Sequence, residues 1–84
     1  MVMEGYMLAD GFNEAIIGID MNAERVIYDK EYMVAILVRD EGMTPIEAIE
    51  YLEFNTWNAY VGPNTPIYSE TMDYNDLMEH LNIQ

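Results

Sequence analysis

Residues 44–54, TPIEAIEYLEF, decide how this chain folds. Thr44 is a good helix N-cap, Pro45 suits the first helical position, and Glu47 follows the cap at the spacing of a capping box. In that box the threonine hydroxyl accepts a backbone N–H and the glutamate reaches back to the cap's own N–H. Ile46, Ile49 and Leu52 recur at helical spacing and predict an apolar stripe facing the core. Glu47, Glu50 and Glu53 recur at the same interval on an adjoining face. One short helix therefore offers both an apolar and an acidic surface.

On the N-terminal side, Gly42 fits the position just past the end of a helix that Asp29 caps, over residues 30 to about 40. Its centre, YMVAILV (32–38), is apolar nearly all round, which predicts the buried helix of the fold. A strand is the competing reading, because Val34, Ile36 and Val38 alternate, but length, cap and Gly42 favour the helix. The two helices then form a tight αα-hairpin. Further back, EAIIGID (14–20) and RVIYD (25–29) read as strands joined by a turn at 21–24, hence a β-hairpin. Gly18 inside the first strand marks a bulge or a close backbone approach.

On the C-terminal side, WNAYV (57–61) reads as an aromatic-rich strand and GPNTP (62–66) as a loop. Residues 67–69 read as a short edge strand. The last helix starts at the Asp73 cap and runs to about residue 81, with Leu77, Met78 and Leu81 inward. The expected fold is α+β: a small antiparallel sheet, made of the β-hairpin plus one or two later strands, packed against the αα-hairpin and the C-terminal helix. Residues 1–84 form one domain in this reading. Residues 1–10 read as a flexible flap, because Gly5 and Gly11 interrupt any periodicity among Met3, Tyr6, Met7, Leu8 and Phe12.

Composition narrows function more than it narrows fold. At 51% hydrophobic and 12% aromatic, the chain carries enough apolar surface to fold despite its charge. Sixteen acidic residues against three basic ones leave a formal net charge of −13. A direct nucleic-acid binder needs cations to displace counterions from phosphates. Here Arg25, Lys30 and Arg39 each sit beside an acidic residue in sequence, so neither nucleic acid nor an anionic membrane is expected as a direct partner. A basic protein surface is. The lack of cysteine removes disulfides, thiolate metal sites and cysteine nucleophiles from consideration. No signal-peptide pattern and no apolar run approaching the roughly 20 residues of a membrane span is present, so a cytoplasmic location is expected.

Residues 20–24, DMNAE, alternate as in an EF-hand loop, but Arg25 stands where that loop needs glycine, so a plain polar turn is the better reading. His80, near Asp76 and Glu79, supplies a single nitrogen ligand and reads as a surface residue. Ser69 lacks a nucleophile-elbow setting, and the glycines form no phosphate loop. No catalytic residue, metal or cofactor is expected, and the chain does not read as an enzyme. The candidate partner-binding set is instead Glu47, Glu50 and Glu53 with Asp40 and Glu41 across the hairpin. Successive stripe carboxylates are separated by about 4.5 Å of helix rise, a spacing that can imitate a row of phosphates. From Gly42 to the end the chain has seven acidic residues and no lysine or arginine, so these charges repel one another with no local relief. The alternative set is Trp57, Tyr60 and Tyr68 around the GPNTP loop. It would serve an adaptor or a homo-oligomer, a homodimer included, with a Met-, Tyr- and Trp-rich contact surface; a small-ligand sponge is a third option.

The strings GFNEAIIGID, RVIYD, ILVRDEGMTPIEAIEYLEFN and AYVGPNTPIY together resemble a family of short, mostly uncharacterised bacteriophage proteins. That family has a "GF-acid-EAIIG" opening, a "VYD" strand, a "RDGM-EEA-EY-FN" helical hairpin and an "AYVG-TPI" ending. The likeness covers residues 11 to about 68 and carries no catalytic motif. This chain departs from it at RDEGM, where Glu41 is inserted and predicts a first helix one residue longer. The resemblance, taken with the charge, implies a phage protein that occupies a nucleic-acid-binding site on a host protein, of anti-restriction or anti-CRISPR type.

Overall fold

The computed structural model describes residues 2–3 and 5–83. Two short strands, β1 (Val2–Met3) and β2 (Tyr6–Met7), pair antiparallel and lead through a 3-10 turn, Asn13–Ala15, into the main sheet. Of the flap expected over residues 1–10, positions 1 and 4 lie outside the described residues. Within it Tyr6, Leu8 and Ala9 pack against the core, and the Ala9 N–H donates to the Tyr28 hydroxyl at 2.8 Å. Phe12 behind them is buried.

Strands β3 (Ile16–Asp20) and β4 (Arg25–Asp29) form the expected hairpin. Ile16 opposes Tyr28 while Gly18 opposes Ile27, which leaves Ile17 as the extra residue of a β-bulge. The turn between them is a polar one: Asp20 Oδ1 accepts the N–H groups of Asn22 and Ala23 at 3.1 and 3.2 Å. Val26 and Tyr28 are buried and alternate with half-buried neighbours, so one face of the sheet carries the core.

Asp29 caps α1 (Lys30–Glu41) by accepting the Glu31 N–H at 3.0 Å. Gly42 ends the helix in the left-handed region at φ 68°, where a β-carbon would be strained. The capping box at Thr44 is complete: Thr44 Oγ1 accepts from the Glu47 N–H at 3.2 Å, and Glu47 Oε1 accepts from the Thr44 N–H at 2.9 Å. It opens α2 (Pro45–Leu52). A π-helical turn, Glu53–Trp57, continues α2 where a strand from residue 57 was expected. Two side chains cap carbonyls along it: Asn55 Nδ2 donates to Tyr51 O, and Asn58 Nδ2 to Glu53 O. Trp57 consequently turns inward, its Nε1–H directed at Met33 Sδ at 3.4 Å.

A well-pinned loop follows. Thr65 Oγ1 donates to Gly62 O at 2.6 Å and accepts from Val61 N–H at 2.9 Å, while Asn64 Nδ2 donates to Glu24 O at 3.1 Å. Strand β5 (Ile67–Ser69) then pairs with β4 in parallel, giving the order β3-β4-β5. The α+β class is as expected, but the sheet is mixed rather than antiparallel. Both helices lie between β4 and β5, and a long connection of this kind is what parallel neighbours require. The last helix, α3 (Tyr74–His80), begins at the expected Asp73 cap. None of its residues is buried: of the three expected inside, Met78 is half-buried, Leu77 is 38% exposed, and Leu81, just past the helix, is 53% exposed.

The core consists of Phe12, Ala15, Val26 and Tyr28, Met33, Ile36 and Leu37 of α1, and Ala48 and Leu52 of α2. The expected stripe Ile46–Ile49–Leu52 therefore splits. A step of three residues turns about 60° short of a full circle, so positions six apart diverge by about 120°. Leu52 is fully buried, Ile49 is 39% exposed and Ile46 is 69% exposed. Helix α1 likewise buries only one side, leaving Val38 and Tyr32 at the surface.

Candidate functional site

The outer side of the helical hairpin carries a groove. Val34, Ala35 and Val38 of α1 face Pro45 and Ile49 of α2 across an apolar depression of about 530 Å³. It adjoins a second hollow of about 470 Å³, which shares Glu31, Val34 and Ile49 with it and ends at Trp57 and Met72. Both arise from the same cause. The hairpin is apolar on two sides, and the sheet covers only one.

Acidic side chains stand at the Trp57 end: Glu31, Glu53 and Glu70 line that hollow together with Lys30. Lys30 Nζ lies 4.8 Å from the centre of the Trp57 ring, a cation–π distance, and 3.9 Å from Glu70 Oε1, the outer limit of ion pairing. At the opposite end Arg39 is held between two carboxylates. It contacts Glu14 at 2.8 and 3.2 Å and Asp40 at 2.6 and 2.9 Å. The hydrogen bonds and charge of Arg39 hold the carboxyls of Glu14 and Asp40 below the ordinary carboxylate range, and Asp40 and Glu14 in turn raise the Arg39 guanidinium further. The third cation, Arg25, donates from Nε to the Thr65 carbonyl and fixes the loop before β5. All three basic residues thus have internal tasks.

The five acids of the candidate set divide accordingly. Asp40 is engaged by Arg39, and Glu47 closes the capping box, whose backbone N–H donor lowers its carboxyl. Glu41, Glu50 and Glu53 are exposed, and no cation pairs with their carboxylates among the described residues. Glu53, in the π-turn, is the member brought into the groove. The alternative set is dispersed as well: Trp57 forms the groove end, Tyr60 projects from the loop at 79% exposure, and Tyr68 in β5 stacks on Tyr28 at 5.7 Å.

The lining residues Glu31, Val34, Val38 and Ile49 escaped the sequence reading. The available signal was the all-round apolarity of 32–38, which a small sheet cannot fully cover. No group of three or more histidine, aspartate or glutamate side chains suited to a metal ion occurs among the described residues. Comparison with known proteins returns no match: no family model, no curated protein and no solved structure resembles the chain significantly.

Proposed function

We propose that the chain is a non-enzymatic inhibitor or modulator that presents its acidic helical hairpin to a basic, nucleic-acid-binding site on another protein. The observation that carries this reading is the charge inventory of the site. Three exposed carboxylates, Glu41, Glu50 and Glu53, have no cation paired to them among the described residues, in a chain whose three basic side chains all hold other contacts. Such a surface repels its own kind and attracts a cationic one, and complementary potentials act first on the rate of encounter. The resemblance to phage proteins gives the partner's setting: the cytoplasm of an infected bacterium, with restriction or CRISPR nucleases as the class of target.

The test is affinity capture from bacterial lysate, washed at low and at high salt, followed by competition with duplex DNA. Capture of a nucleic-acid-binding protein that salt and DNA both release, and that the triple variant Glu41→Lys, Glu50→Lys, Glu53→Lys no longer captures, is the expected result. Undiminished capture by the triple variant would refute the reading. A second reading rests on the exposed aromatic rings of Phe54 and Tyr60, at 90% and 79%. An adaptor using them would bind in a salt-resistant manner and lose binding on Tyr60→Ala.

A further inference from the structure

The geometry points to a specific occupant for the hairpin groove: a basic amphipathic helix of the partner, its apolar side on Val34, Val38 and Ile49 and a lysine or arginine at the Trp57 end. This rests on the reading that the partner is cationic, and adds the form in which it binds. Two antiparallel helices leave a seam into which a third can lay an apolar stripe, and here the seam is open, apolar in its middle and unfilled by any element of the described chain.

The charges at its end select the occupant. Glu31, Glu53 and Glu70 line the same hollow as Trp57, with Lys30 as its one basic lining residue. Lys30 already demonstrates that a cation is accommodated over the indole, and its distant contact with Glu70 leaves most of the carboxylate charge unmet. A partner guanidinium reaching this hollow would meet an aromatic face and several carboxylate acceptors at once. A second copy of the chain is the wrong occupant, because it would bring another −13 charges to the same place. Helix α3 is wrong for the same reason: its apolar side chains are unburied, but Asp73, Asp76 and Glu79 accompany them.

Trp57 is the single tryptophan, so its emission reports on the groove directly. Two synthetic peptides of about 18 residues, roughly five helical turns, would be titrated into the full-length chain. They share one composition of leucine, alanine, lysine and arginine; in one the leucines repeat at helical spacing, in the other they are scattered. The patterned peptide is expected to shift Trp57 emission at a concentration at least about tenfold lower than the scattered one. Val38→Glu and Ile49→Glu should erase that preference, and Ile46→Glu, whose side chain lies outside the groove, should keep it. Lys30→Met should tighten the patterned peptide several-fold by removing the internal competitor; unchanged or weaker binding would overturn the placement of the partner's cation. Equal response to both peptides would overturn the groove while leaving the acidic-surface reading standing, and no response to either would overturn the inference outright. A concentration-dependent dimer abolished by Val38→Glu would overturn it in favour of a second copy. The peptide comparison on the unmodified chain decides even where a variant fails to fold.

Discussion

The two sides of the helical hairpin are built from the same kinds of residue and have opposite fates. On the inner side Met33, Ile36, Leu37, Ala48 and Leu52 close against Val26 and Tyr28. On the outer side Val38, Ile46 and Ile49 are exposed, and Val34 is only half-buried at the edge of a groove. Both are aliphatic and both lie on well-capped helices. The difference is that a three-stranded sheet can cover one side of two helices and no more. Apolarity therefore says that a surface seeks cover, and the sheet's extent decides which surface finds it within the chain.

The sharpest way to break this contrast is a matched pair of truncations. Leu52→Ala should lower the unfolding free energy by about 2–5 kcal/mol in a urea titration, through lost burial plus the cavity left behind. Ile49→Ala, three residues earlier, should change it by about 0.5 kcal/mol or less, as expected for a surface position. Equal losses would mean that the outer side is covered in solution. Next in size is Tyr28→Phe, which removes the acceptor of the Ala9 N–H. A loss of about 1–3 kcal/mol is expected from an amide left unsatisfied, with faster hydrogen exchange at Ala9 as its local mark. Thr44→Ala should cost about 1 kcal/mol by opening the capping box, and the cost should appear equally in thermal and urea unfolding.

The smallest effect concerns the acids. Arg39 holds the Glu14 carboxyl below its usual range, so Glu14 contributes stability above its unfolded-state pKa and loses it as pH falls through the lower, folded value. Glu14→Gln and Glu41→Gln each relieve one unit of repulsion, but only the first breaks an ion pair. Thermal melts should place Glu14→Gln below Glu41→Gln at about pH 7, and the gap should close at about pH 2. A gap unchanged at low pH would show that the Arg39 contact has no electrostatic role. Because this pair is solvent-exposed, the gap is small.

Much of the fold was legible in the residues themselves. The capping box at Thr44, the Asp29 and Asp73 caps, the Gly42 terminus, the bulge beside Gly18 and the polar turn after Asp20 all appear where the sequence reading put them. Helix α1 runs to Glu41, one residue past the end expected at about residue 40. Each depends on groups within a few positions of one another, whose spacing along the chain is already their spacing in space. The acidity of the hairpin was legible too, since it is a count.

Four features were decided only by the assembled structure. Strand β5 lies parallel to β4 because the whole helical hairpin intervenes, and the π-turn that carries Trp57 to Met33 replaces a strand that composition alone favours. Arg39 is anchored by Glu14, far away in sequence. The groove exists because the sheet stops short of the outer side of α1. In each case the deciding contact joins distant parts of the chain. Local sequence can state what such a residue prefers, but which neighbour arrives to meet that preference is settled only when the layers pack.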